Sequence, residues 1–131
     1  MNEHQNVIFI RNLFTAFLTG DVITILASIS ENAVWHFPGR KSQLAGDYVG
    51  GEAIIAFLAK SPVLSGKTFK IDLIDVVAND RTAVAIYRAS GQRKGLDLDS
   101  TACLRMLIED GKIIEFWEFV WDLYQVEEFW G

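Results

Sequence analysis

Apolar residues recur at helical spacing along the first part of the chain and at alternate positions along most of the rest. Val7, Ile10, Leu13, Phe14, Phe17 and Leu18 form one stripe, which predicts a helix of about four turns. Gly20 suits its C-terminal stop, and Asp21 suits the cap of a shorter helix carrying Val22, Ile25, Leu26 and Ile29. Residues 32–37 read as a strand, with Val34 and His36 on one face and Trp35 and Phe37 on the other. Pro38-Gly39 ends it, and a polar, glycine-rich loop runs to Gly51. Ile54, Ile55, Phe57 and Leu58 mark a third helix over about residues 52–60, with Pro62 beyond its end.

From Lys67 onward the pattern is strand after strand. "KTFKIDLIDVVA" alternates and then changes phase at Leu73-Ile74, which predicts a β-bulge. Asn79-Asp80, the charged stretch from Gly91 to Gly95, and Asp110-Gly111 separate this strand from "RTAVAIYRAS", "LDLDSTACLRMLI" and "KIIEFWEFVW". The tail "DLYQVEEFWG" is compatible with a helical turn or an extended end. Helices grouped apart from consecutive hairpins make an α+β fold, a single domain over 1–131.

A two-residue turn at Asp110-Gly111 pairs Glu109 with Lys112, Leu107 with Ile114, Arg105 with Phe116 and Cys103 with Glu118. One face then carries Leu98, Ala102, Leu104, Met106, Ile113, Glu115, Trp117, Phe119 and Trp121. The other carries Cys103, Arg105, Leu107, Ile114, Phe116, Glu118 and Val120, with Arg105 diagonal to Glu118. Both faces are mixed, so both are expected to be covered. The Trp117, Phe119, Trp121 row suits an interface with a second copy, or else the packing of the helices.

Composition narrows the function. Half the residues are hydrophobic, the net charge is −5, and no Lys/Arg run exists, so nucleic acid is not an expected partner. No apolar stretch reaches membrane-spanning length, and the opening residues do not read as a signal peptide; a cytoplasmic protein without membrane contact is the expectation. Cys103 is the single cysteine, and His4 and His36 have no ligand spacing, so neither a disulfide nor a metal site is expected. No phosphate-binding glycine motif surrounds Gly50-Gly51, and no cofactor is implied.

Three residues stand out as candidates for catalysis. His36, flanked by aromatics, is a general acid or base in one reading and a buried neutral histidine in the other. Glu118, between Phe116 and Val120 on its face, has a raised pKa and carries a proton if unpaired, or forms a structural pair with Arg105. Tyr87 interrupts the small face of Ala83, Ala85 and Ala89, where its phenol meets a ligand oxygen or simply fills core space. Val34, Asp47, Tyr48, Phe57, Arg105 and Phe116 complete the expected ligand-binding set, with Asp47-Tyr48 in a loop at the rim.

Helix-helix-strand-helix-four strands, with "AVWHFPG", "LAGDYVGGEAIIAFL", "DGKIIEFWEF" and "VEEFWG", resembles the SnoaL-like proteins of the nuclear transport factor 2-like superfamily, which includes ketosteroid isomerases. The resemblance implies a cone-shaped barrel: a strongly bent antiparallel or mixed sheet around three helices of the N-terminal half. It further implies an apolar pocket, an acidic residue on the last strand near Glu118, a polar residue on the first strand near His36, and a homodimer through the outer sheet face. Limonene epoxide hydrolases of that superfamily carry an Arg and an Asp two apart on a middle strand; Tyr87 and Ala89 stand there, so the resemblance does not extend to their reaction. Two functions follow as expectations. One is an isomerase- or cyclase-type enzyme transferring a proton on an apolar carbonyl compound. The other is a binding or scaffold protein without catalysis.

Overall fold

The computed structural model describes residues 3–131. The chain runs α1 (Gln5–Thr19), α2 (Val22–Ser28), β1 (Ile29–Phe37), β2 (Gly46–Val49), α3 (Gly51–Leu64), β3 (Lys70–Ala78), β4 (Thr82–Arg93), β5 (Leu96–Glu109), β6 (Lys112–Val120) and α4 (Leu123–Phe129). The strands form one six-stranded mixed sheet in the order β2-β1-β6-β5-β4-β3. β1 and β6 are parallel and all other neighbours antiparallel. The apolar stripe of α1 supplies Ile10, Leu13 and Phe14 to a core completed by Trp35, Phe57, Leu104, Met106 and Phe116. Among the described residues, no helix is long and apolar enough to cross a membrane.

Local chemistry explains most element ends. Gly20 closes α1 at φ 66°, and Asp21 caps α2 by accepting from the Thr24 amide. Lys94-Gly95 and Asp110-Gly111 both have positive φ at their two central residues, which fits type I′ hairpin turns. The phase change read at Leu73-Ile74 is a β-bulge: Leu73 pairs with Tyr87, Asp75 with Ile86, and Ile74 is the extra residue.

Three elements differ from the sequence expectation, and the tail takes one of its two expected forms. The glycine-rich loop contains β2, an edge strand pairing with β1 through Trp35–Tyr48 and His36–Asp47. Its four residues are too few and too exposed to show a hydrophobic period. The third helix runs past Lys60 and includes Pro62. Pro62 has no N–H for the Leu58 carbonyl four residues back, and the Ser61 hydroxyl donates to that carbonyl instead, at 3.2 Å. β4 continues through Gly91 to Arg93, leaving only Lys94-Gly95 as the turn. The tail is helical, capped by Asp122 accepting from the Gln125 amide.

The largest correction concerns register. Glu109 pairs with Lys112 as expected, but Ile108 pairs with Ile113 and Leu107 with Glu115, so Ile114 is an extra residue. This bulge shifts every later pair by one: Arg105 lies opposite Trp117, not Phe116, and Cys103 lies opposite Phe119, not Glu118. Leu98, Ser100, Ala102, Leu104 and Met106 therefore share the helix-facing side with Phe116, Glu118 and Val120. Arg105 lies on the opposite side, its guanidinium 4.6 Å from the Trp117 ring centroid. The expected Arg105–Glu118 pair does not form.

Candidate active site

Between the helices and the inner side of the sheet lies a cavity of about 790 Å³. That size suits a small organic ligand. Phe14, Phe17, Trp35, Phe57, Leu104 and Val126 are among its apolar walls, and among the described residues Glu118 and Lys67 are the only charged ones that line it. Glu118 is partly accessible, and the space it meets is this cavity.

Three strands deliver the polar cluster inside. Trp35 on β1 pairs with Phe116 on β6, which puts the indole beside the following inward residue, Glu118. The Trp35 Nε1–H donates to Glu118 Oε1 at 2.6 Å. Tyr87 on β4 pairs with Ala102 on β5, and Ala102 with Val120. The small Ala102 side chain leaves the Tyr87 ring room to cross β5 toward β6. Its hydroxyl donates to Glu118 Oε2 at 2.8 Å. Stacking of Trp35 on Phe116, with centroids 4.3 Å apart, and a tilted contact of Tyr87 with Phe14, at 5.8 Å, hold both donors in place.

Electrostatics follow from this geometry. Burial pushes the Glu118 carboxyl up to about 7, against the Tyr87 and Trp35 hydrogen bonds, which favour the carboxylate. Burial and the adjacent Glu118 charge push the Tyr87 phenol well above its ordinary value. The result is a carboxylate with both oxygens fixed by donors, a spare lone-pair direction on each, and a proton affinity matched to neutral pH.

Of the nine residues expected in the site, Glu118, Tyr87 and Phe57 line the cavity. Tyr87 spends its proton on Glu118, so it positions the carboxylate and is not free to donate to a ligand oxygen while Glu118 is ionised. Phe116 lies behind Trp35, fully buried, and shapes the wall without lining it. Tyr48 packs on Phe57 and donates its hydroxyl to the Leu44 carbonyl. Val34 and His36 alternate with Trp35 and so lie on the outer side of β1, and Arg105 lies on the outer side of β5.

His36 thus belongs to a separate cluster. Its Nδ1 lies 2.6 Å from Asp47 Oδ1, its Nε2 bonds Glu115, and its ring stacks on Trp117. Partial burial lowers its proton affinity, but hydrogen bonds and charges from Glu115 and Asp47 outweigh this and raise its pKa above 6.5. Only the imidazolium can donate to both carboxylates. The stabilisation is complete below the unfolded value and is lost as pH rises through the higher folded one. Denaturant titrations from pH 5 to 9 should show His36→Gln flattening this decline by roughly 0.2–1 kcal/mol, the range for solvent-exposed ion pairs.

Ser100 and Trp35 were missed as polar lining groups. Ser100 lies in phase with Leu98, Ala102 and Leu104, a polar residue at an inward position, which was the available signal. Its hydroxyl has only a 3.5 Å contact with the Thr101 carbonyl, at the limit of a hydrogen bond, so it can bond a ligand. Among the described residues, no group of three or more His, Cys, Asp or Glu side chains has metal-binding geometry.

Residues 10–116 match the SnoaL-like domain model. An uncharacterised protein of Mycobacterium tuberculosis is 28% identical over the whole length of both chains. The structure of Bal32a, from a soil-derived mobile gene cassette, superposes with a TM-score of 0.91 at 38% identity, covering 97% of each chain. A protein of Jannaschia sp. CCS1 named as a SnoaL-like polyketide cyclase superposes with a TM-score of 0.80 at 18% identity, covering 99% of this chain and 96% of the other, a likeness of fold.

Proposed function

Since the chain belongs to the SnoaL-like family, in a fold it shares with the protein named as a polyketide cyclase, we propose that it is an enzyme moving a proton on an apolar carbonyl compound, with Glu118 as the catalytic base. The observation that carries this reading is the Trp35–Glu118–Tyr87 arrangement facing an apolar cavity. A carboxylate there removes a proton from carbon beside a carbonyl and, once protonated, returns it to another position of the same molecule. The walls exclude water and set the substrate class, which is polycyclic or aryl-substituted and mostly apolar. Isomerisation and cyclisation both consist of such transfers. The proposal takes the sheet to curl as a cone around the ligand, with the bulges at Ile74 and Ile114 supplying the bend.

The base can be tested before its substrate is identified. A panel of cyclic and aryl ketones is incubated with the protein in D2O, and deuterium entering the carbon beside the carbonyl is followed by NMR. Incorporation that depends on Glu118 supports the base. Saturable ketone binding without incorporation across the panel would favour a binding protein instead.

A homodimer through the outer sheet face is part of the same proposal. Phe119 and Trp121 are 56% and 89% exposed, and Trp117 lies beside them under Arg105. Aromatic side chains are enriched at the centres of such interfaces. Sedimentation at micromolar concentration is expected to give a dimer, and Phe119→Lys with Trp121→Ser a monomer. A monomeric wild-type chain would refute the dimer.

A further inference from the structure

We infer that the cavity takes an elongated organic anion, held with its acidic group at Lys67 and its apolar body running inward to Glu118. This rests on the reading of the cavity as the ligand site and adds the charge and orientation of what enters it.

The two charged lining residues differ in setting. Glu118 is inside, ringed by Trp35 and Tyr87, whereas Lys67 is exposed at the solvent edge. Register places them far apart. Tyr87, which touches Glu118, is five positions along β4 from Gln92, whose amide and carbonyl both bond the Thr68 hydroxyl next to Lys67. At about 3.3 Å per residue that is roughly 17 Å of backbone. Between the two ends the lining includes Ala89, Leu98 and Ser100, small or apolar apart from the one hydroxyl.

Lys67 is also held in an unusual way. Its φ is 67°, a left-handed conformation that favours glycine, and Gly66 before it is left-handed too. The turn is tied down on both sides: the Lys67 amide donates to the Pro62 carbonyl at 2.8 Å, and the Phe69 amide donates to the Ser65 hydroxyl at 3.0 Å. A lysine thus occupies a position where glycine would be unstrained, on a fixed backbone, at the edge of a cavity otherwise lacking positive charge. It makes no ion pair among the described residues. Within a chain of net charge −5, a lone cation at the entrance selects a negative group, and the Glu118 carboxylate keeps that group from the inner end. A carboxylate, sulfonate or acidic phenol on a two- to four-ring skeleton has this shape and charge.

Two fluorescent dyes with the same aromatic skeleton separate the charge from the apolar body: anionic 8-anilinonaphthalene-1-sulfonate and neutral N-phenyl-1-naphthylamine. The wild-type protein should bind both in competition and prefer the anion, with a preference that shrinks as salt is added. Lys67→Gln should weaken the anion by roughly threefold to fivefold, the scale of one exposed charge contact, and leave the neutral dye within twofold. Lys67→Arg should keep the preference. An unchanged dye ratio in Lys67→Gln, or dyes that do not compete, would overturn the inference while leaving a ligand cavity in place. Failure of both dyes to bind would overturn the ligand cavity, and the inference with it.

Discussion

Glu118→Gln is expected to lower carbon deprotonation by about 10²- to 10⁴-fold, the usual contribution of a positioned base. The glutamine keeps the geometry: its carbonyl accepts from the Trp35 indole and its amide donates to the Tyr87 oxygen, so loss of activity reports the base and not a collapsed site. The wild-type rate should rise with pH through a midpoint near 7, where Glu118 ionises, and the variant should lose that step. The same substitution should stabilise the protein at pH 8. The unfolded carboxyl releases its proton near 4.5 and the folded one near 7. Over that interval the folded state binds more protons, and stability falls as pH rises. The full fall is at most about 3.5 kcal/mol, from about 1.4 kcal/mol per pH unit. Chemical denaturation of both proteins at pH 5 and pH 8 checks it. A variant that is no more stable than wild type at pH 8, or that retains full deprotonation activity, would remove Glu118 from its assigned role.

Phe116→Ala is expected to cost about 3–5 kcal/mol, among the most severe single losses available in the core. Phe116 is fully buried, pairs across strands with Met106 and Trp35, and stacks on the indole that fixes Glu118. The alanine leaves a void behind Trp35. The midpoint of thermal unfolding should drop by roughly 10–20 °C for a chain of this size. In protein that remains folded at low temperature, the Trp35–Glu118 hydrogen bond should loosen and the pH midpoint of activity should move above 7. A drop of only a few degrees would mean that the wall behind Trp35 is far less tightly packed.

Much of this architecture was legible because each signal had one local cause. The stripe from Val7 to Leu18 specifies α1, Asp110-Gly111 specifies its hairpin turn, and the phase change at Leu73-Ile74 marks its bulge. Glu118 and Tyr87 stood out as polar residues in apolar phases, and the structure brings them together. The bulge at Ile114 was not legible. "KIIEF" contains two isoleucines in succession, so either phase places an apolar residue inward, and counting from the turn carried the error to every later residue. That one slip put Arg105 on the cavity side, separated Leu104 from Glu118, and hid Ser100. His36 failed for another reason. A histidine between two aromatics carries no mark of which face is inner, and the carboxylates that claim it, Asp47 and Glu115, come from a strand without a hydrophobic period and from the bulged segment.

The parallel contact between β1 and β6 also bears on how the chain reaches this state. The strand made first among the six has as its inner neighbour the strand made last. Until β6 is synthesised, β2-β1 and β5-β4-β3 remain two separate pieces of sheet, and α1, which packs on β3 and β4, has only the second piece to cover. Closing so long a loop slows folding relative to chains built mainly on local contacts. A chain cut ahead of Lys112 would lack the one strand that joins these two pieces into a single sheet.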